Sequence, residues 1–179
     1  MKGSANDIRM IVSDLDGVWT DGKIIYTGDA RETKEFNVRD GLGVRLAQAA
    51  GLQVTVVTSR KSKAVERRCR ELGITGLIQG AADKLIEVRK LLLTCELEPH
   101  EMLYVGDDLP DLAPMTLAGI SAAPADAAAE VLGSADWQLA SRGGAGAFRE
   151  LVERLLRARG EWDAAVERFH GAKVDIQGI

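Results

Sequence analysis

The stretch Arg9-Met10-Ile11-Val12-Ser13-Asp14-Leu15-Asp16-Gly17 decides how the rest of the chain is read. Its apolar half predicts a short strand, about residues 9–13, that stops abruptly at two carboxylates and a glycine. A continuous apolar run of this length suits a strand buried on both faces, as strands of parallel sheets are. Working outward, residues 52–57, 73–78 and 102–105 read as further strands, with weaker ones near Ile120 and at 137–139. Stretches of helical period separate them, at 42–50, 61–72, 84–97, about 111–117 and 147–159, and Asp83 is the expected N-cap of the third. This alternation predicts an α/β fold, a Rossmann-like parallel sheet with helices on both faces.

One interval breaks the pattern. Between Gly17 and Asp40, Ile24-Ile25-Tyr26 and residues 32–36 flank Thr27-Gly28-Asp29, which reads as a β-hairpin. A flap over about 17–40, directly after the first strand, stands where open α/β sheets bind their ligands. Nothing in the chain is long enough for a separate cap domain.

Composition narrows the function classes. With 179 residues, 46% of them hydrophobic, the chain is expected to form one domain over 1–179, ending in a helical tail at about 160–179. A net charge of −4 with no basic run argues against a nucleic-acid partner. No run of about 18 apolar residues occurs, so no membrane span is expected. Met1 to Asp7 has no apolar segment of the secretory kind. Cys69 and Cys95 stand apart from each other and from histidine, as reduced packing residues of a cytoplasmic protein do. His100 and His170 are the only histidines, which removes zinc sites and histidine-based triads.

Alone, Asp14-x-Asp16 is weak: with 14 aspartates in the chain, about one such pair arises by chance. Thr58 at the end of the second strand, Lys84 at the start of the helix after the third, and Asp107, Asp108 and Asp111 after the fourth change that. Each has an ordinary explanation as a cap, a surface charge or a turn. Together they gather carboxylates, a hydroxyl and an ammonium on one edge of one sheet. That set suits phosphoryl transfer. A carboxylate at about 4 Å from a phosphate dianion meets roughly 8 kcal/mol of repulsion at an effective dielectric near 20. A hard cation such as Mg²⁺, held by carboxylates, cancels it. Asp14 is then the nucleophile, Asp16 the general acid and base, Thr58 and Lys84 the ligands of the phosphoryl oxygens, and Asp107 a metal ligand.

The set resembles the haloacid dehalogenase superfamily, whose four motifs match at Asp14-x-Asp16, Thr58, Lys84 and Asp107-Asp108-x-x-Asp111. The resemblance implies that Asp14 also binds the metal, that Asp16 lends it a backbone carbonyl, and that Asp108 and Asp111 orient Asp107. Within that superfamily, Asp14-Leu15-Asp16-Gly17-Val18-Trp19-Thr20-Asp21-Gly22 and Phe36-Asn37-Val38-Arg39-Asp40-Gly41 resemble the branch containing 3-deoxy-D-manno-octulosonate 8-phosphate phosphatases. So do Thr58-Ser59-Arg60-Lys61, Glu66-Arg67-Arg68-Cys69, Leu72-Gly73-Ile74, Tyr104-Val105-Gly106-Asp107-Asp108 and Arg142-Gly143-Gly144-x-Gly146-Ala147. The likeness runs from Ile8 to about Gly160. Ser59 stands where glycine is usual and Trp19 where leucine is common, and both are expected to reshape the pocket.

The branch implies a phosphorylated sugar acid as substrate, with the eight-carbon octulosonate phosphate preferred over a nine-carbon relative because Arg60 stands where the nine-carbon enzymes tend to carry Glu. Asn37, Arg39, Asp40, Gly41, Arg45, Arg60, Arg68 and Lys84 are the candidate substrate contacts. Ordinary surface charge is the competing explanation for each arginine, and the resemblance favours Arg60 and Arg68. A capless phosphatase leaves a small substrate open to water, and the branch implies a homotetramer in which a neighbour closes each site. Gly143-Gly144-Ala145-Gly146 reads as a mobile connector, with an anion cradle as the alternative. Trp162, Val166 and Phe169 form an apolar stripe, packed on its own domain or docked on a neighbour. Two other classes compete. A signalling receiver domain also gathers acids, a threonine and a lysine, but it needs an aspartate after the third strand, where Gln79 and Gly80 stand. A catalytically silent interaction protein is disfavoured because no catalytic position is missing.

Overall fold

The computed structural model describes residues 3–28 and 32–171, with side chains as far as Arg168. Six strands form one parallel sheet: β1 (Met10–Ser13), β4 (Gln53–Thr58), β5 (Gly76–Gln79), β6 (Met102–Val105), β7 (Ile120–Ala123) and β8 (Trp137–Gln138), in the order β5-β4-β1-β6-β7-β8. The chain builds outward from β1 through β4 to β5, returns to lay β6 on the other side of β1, and builds outward again. The order therefore reverses beside β1, and the crevice of such a sheet opens at the carboxyl ends of its central strands.

Alternation along the strands divides the core into two layers. Ile11, Leu103, Val105, Val54 and Val56 face one side, where α1 (Val38–Ala49), α2 (Lys63–Glu71) and α6 (Ala147–Ala158) pack. Met10, Val12, Val57, Met102 and Tyr104 face the other, under α3 (Lys84–Thr94), α4 (Leu112–Leu117) and α5 (Ala129–Ser134). Helix α6 buries Phe148, Leu151, Val152, Leu155 and Leu156, spaced to line one helical face, and leans on α1. Trp162 opens α7 (Trp162–Gly171) and packs on this same layer, with Arg149 and Arg157 over its ring at 5.2 and 4.9 Å. Of the tail stripe, Trp162 thus follows the first of the two expectations, Val166 is half-buried, and the Phe169 side chain lies outside the described residues.

The expected strands all form, within three residues of their expected limits. Helix α1 begins four residues before its expected start because Asn37 caps it, its side chain accepting the Arg39 amide at 2.9 Å. Asp83 caps α3 as expected, accepting the Ile86 amide at 3.1 Å. The hairpin is shorter than its sequence suggests: β2 (Ile25–Tyr26) pairs antiparallel with β3 (Glu32–Thr33) over two residues each, and Asp29 lies outside the described residues. Its outer residues Ile24, Ile25 and Tyr26 are 50%, 37% and 68% exposed.

Candidate active site

Strand register brings the candidate catalytic groups together. Ser13 sits opposite Val56 on one side and Val105 on the other, so the next residue, Asp14, emerges between the ends of β4 and β6. Its amide continues the ladder, donating to the Val105 carbonyl at 2.9 Å. Two residues past Val105 comes Asp107, and two past Val56 comes Thr58, which is buried at the end of β4. Lys84 is the first residue of α3 and points back beneath them, with its Nζ 2.7 Å from Asp14 Oδ1 and 2.8 Å from Asp111 Oδ1.

Asp111 is almost wholly buried and fully engaged. One oxygen accepts from Lys84 and from the Tyr104 hydroxyl at 2.7 Å, and the other from the amides of Asp107 and Asp108 at 3.2 and 3.4 Å. It fixes the loop that carries Asp107. Asp108 is exposed and accepts the Leu109 amide at 2.8 Å, opening the turn into α4. Gly17 (φ 95°) gives Asp107 its room: a Cβ there would lie 2.0 Å from the Asp107 carboxylate.

The electrostatics leave this centre short of positive charge. Burial, helped by the Asp111 charge, pushes the Asp14 carboxyl up to about 6 although Lys84 opposes it. Burial and the charges of Asp14 and Asp111 push Asp107 up to about 8. Burial disfavours the Lys84 ammonium, but Asp14 and Asp111 outweigh it and hold its pKa above the usual value. Carboxylate oxygens of Asp14, Asp107 and Asp111 lie within 4.8 Å of one another. Since Asp111 is saturated by four donors, Asp14 and Asp107 are the pair that a hard dication fits, bringing oxygen ligands together and relieving their repulsion.

Asp16 faces the flap. Its Oδ1 is paired with Lys34 Nζ, whose side chain is 1% exposed and which also lies 2.9 Å from Glu32 Oε1. The other Glu32 oxygen holds Arg60 Nη2 at 2.5 Å. Neither Glu32 nor Lys34 was singled out by the sequence, because a charged pair in a short hairpin has no periodic signature. Tyr104 was missed for the opposite reason: it reads as one more apolar residue of β6.

The chain matches no protein-family model. It is 44% identical over 161 residues to the 3-deoxy-D-manno-octulosonate 8-phosphate phosphatase of Escherichia coli K12, covering 90% of this chain and 86% of that one. The chain belongs to the 3-deoxy-D-manno-octulosonate 8-phosphate phosphatase family. This places it among phosphatases of the haloacid dehalogenase type. Its fold is that of a solved member from Moraxella catarrhalis, in complex with magnesium ion, phosphate ion and KDO, with a TM-score of 0.90 and 37% identity over 92% of this chain and 95% of that one. A cobalt-bound member from Haemophilus influenzae matches with a TM-score of 0.86 and 35% identity, over 89% and 94% of the two chains.

Not every expected substrate contact of this family member reaches the crevice. Asp40 is buried and turned toward α6, where its Oδ1 accepts the Arg149 amide at 2.9 Å. Since Gly146 at the N-cap has no side chain, Asp40 does the capping, a role the sequence did not assign it. Gly41 lies under Arg68, whose guanidinium occupies the space a side chain would need. Arg45 donates to the Glu71 carbonyl at 2.8 Å and ties α1 to the end of α2, away from the strand ends. Arg68 lies between α1 and Glu71, 3.4 Å from its carboxylate. Asn37, besides capping α1, donates to the Gly144 carbonyl at 3.3 Å. Arg39 is exposed at the start of α1, and Arg60 stands just past Thr58, whose hydroxyl accepts the Arg60 amide at 3.2 Å.

Two further expectations change. The glycine run packs against the loop after β1 and is not a free connector: a Cβ on Gly143 would lie 1.9 Å from the Gly17 carbonyl, and the Gly144 amide donates to the Val18 carbonyl. Trp19 lies in the core and not in the pocket. It stacks on Phe148 at 4.7 Å and donates to the Ser13 hydroxyl, which donates in turn to the Asp14 carbonyl at 2.6 Å. Ser59 is exposed at the rim. Among the described residues no helix is long and apolar enough to cross a membrane.

Proposed function

We propose that this chain is a Mg²⁺-dependent phosphomonoester hydrolase that releases phosphate from 3-deoxy-D-manno-octulosonate 8-phosphate through an aspartyl-phosphate on Asp14. The observation that carries the reading is Asp14 itself, buried at the reversal of the sheet between Lys84 and Asp107. Family membership supports the substrate, as does the magnesium-, phosphate- and KDO-bound relative.

In the first step an Asp14 oxygen bonds to phosphorus, the ester P–O bond breaks, and Asp16 protonates the departing alkoxide. In the second, Asp16 takes a proton from water as that water displaces the Asp14 carboxylate and frees inorganic phosphate. Lys84 and Thr58 offer donors to the phosphoryl oxygens. Asp14, Asp107 and the Asp16 carbonyl would hold Mg²⁺, which when bound would supply the charge that lets a carboxylate approach a phosphate dianion. In this reading Arg60 grips the carboxylate end of the substrate in a bidentate contact.

Phosphate release measured over a panel of sugar-acid and sugar phosphates tests the assignment. Activity should vanish with EDTA, return with Mg²⁺ and be inhibited by Ca²⁺, whose looser shell misplaces the nucleophile. Full metal-free activity would sink the role of Asp107. Arg60→Ala should lower kcat/KM for the octulosonate phosphate by about tens-fold, as loss of a charged hydrogen bond does, and leave p-nitrophenyl phosphate almost untouched. Equal losses on both would assign Arg60 to phosphate binding or structure. The exposed Ile24, Ile25 and Tyr26 support a homotetramer closed at these flaps, and the free cysteines fit a cytoplasmic enzyme.

A further inference from the structure

The two oxygens of Asp16 live in different surroundings. Oδ1 is tethered to the buried ammonium of Lys34, whereas Oδ2 is shielded from solvent and has no hydrogen-bond partner. Lys34 is itself held: Glu32 clamps it from the flap at 2.9 Å, and Arg60 clamps Glu32 at 2.5 Å. A carboxylate with one oxygen bound to a fixed cation cannot rotate freely. Its other oxygen keeps one direction, and proton transfer in a transition state depends on that direction.

We infer that Lys34 is a positioning residue for Asp16, fixing Oδ1 so that Oδ2 is the oxygen that exchanges protons with the leaving group and with water. The flap then has a second task besides covering substrate: through Lys34 it sets the aim of the acid. A cation in this place also explains why a lysine is buried in a hairpin whose outer side chains are exposed. The inference rests on Asp16 being the proton donor, and leaving-group dependence tests both points separately.

A p-nitrophenolate leaves without help, while a primary alkoxide needs a proton. Single-turnover release of the leaving alcohol, which reports the first step alone, should be followed at saturating Mg²⁺ with p-nitrophenyl phosphate and with the octulosonate phosphate. In Lys34→Gln the alkyl ester should slow by about ten- to a hundredfold, part of what a general acid contributes, with the aryl ester slowed by no more than about threefold. The near-normal aryl rate would show that Asp14, Lys84 and the metal ligands remain in order. Lys34→Arg, which keeps a cation, should recover most of the alkyl rate. If Lys34→Gln is too unstable to assay, Glu32→Gln loosens the same ammonium from its other side and should show the same bias, more weakly. Equal slowing of both esters, or no slowing, in whichever variant is assayed would overturn the role of Lys34. Asp16→Asn separates the two readings. A leaving-group bias there without one in the Lys34 variant overturns the positioning role alone, while no bias in Asp16→Asn overturns the acid and its positioning together.

Discussion

Asp14 and Asp111 both pair with Lys84, yet their substitutions should fail in different ways. Asp14→Asn should abolish turnover, because an amide is a poor nucleophile, and should leave the metal-free melting temperature unchanged or higher, since it removes a charge that the site disfavours. Asp111→Ala strips Lys84, Tyr104 and two amides of their acceptor, and should lower stability by about 3–5 kcal/mol, as breaking a buried ion pair does. Urea unfolding of the two variants beside a phosphate-release assay checks both. The convergence of Asp14, Asp107 and Lys84 was legible in the sequence because strand ends are, and register needs no knowledge of side-chain direction. Lys34 and Tyr104 were not, since their roles exist only once the hairpin folds back and α3 and the Asp107 loop converge.

Helix α6 borrows its N-cap from α1, and that loan is measurable. Asp40→Ala should cost about 1–2 kcal/mol of stability, the value of a good cap, and shift KM for substrate by less than about twofold. A large KM change at unaltered stability would return Asp40 to the pocket. The cap was not legible in the sequence: Asn37, Asp40 and Gly41 lie in one motif, but a helix turns each successive side chain by about 100°, and only the fold shows which one faces α6. The same helix hid its own start, because Gly41 and Gly43 weaken the periodic signal. Helix α5 gave no signal at all, because six residues with only Val131 and Leu132 as large apolar side chains are too few to show a period.

Across the whole molecule, the carboxylate centre should make stability depend on metal and pH together. Asp14 and Asp107 have folded pKa values raised above the ordinary value of 3.8. Their contribution is therefore fully present below about pH 4 and is lost as pH rises toward about 8. Metal-free protein should melt progressively lower across that window, and Mg²⁺ should raise the melting temperature more at pH 8 than at pH 5.5, because the dication replaces the protons. A Mg²⁺ shift independent of pH would separate these groups from the metal. Light scattering checks the assembly: a stable, active monomer would rule out closure of the site by a neighbour. One further consequence follows from the Asp14 amide, which is bonded to Val105 as a rung of the central ladder. Asp14 has no local way to open, so its backbone hydrogen should exchange with deuterated solvent only when the whole sheet unfolds, on the slowest timescale in the protein. The flap, with two residues in each strand, should exchange orders of magnitude sooner, so that one experiment would separate a rigid reaction centre from the pliant element that aims its acid.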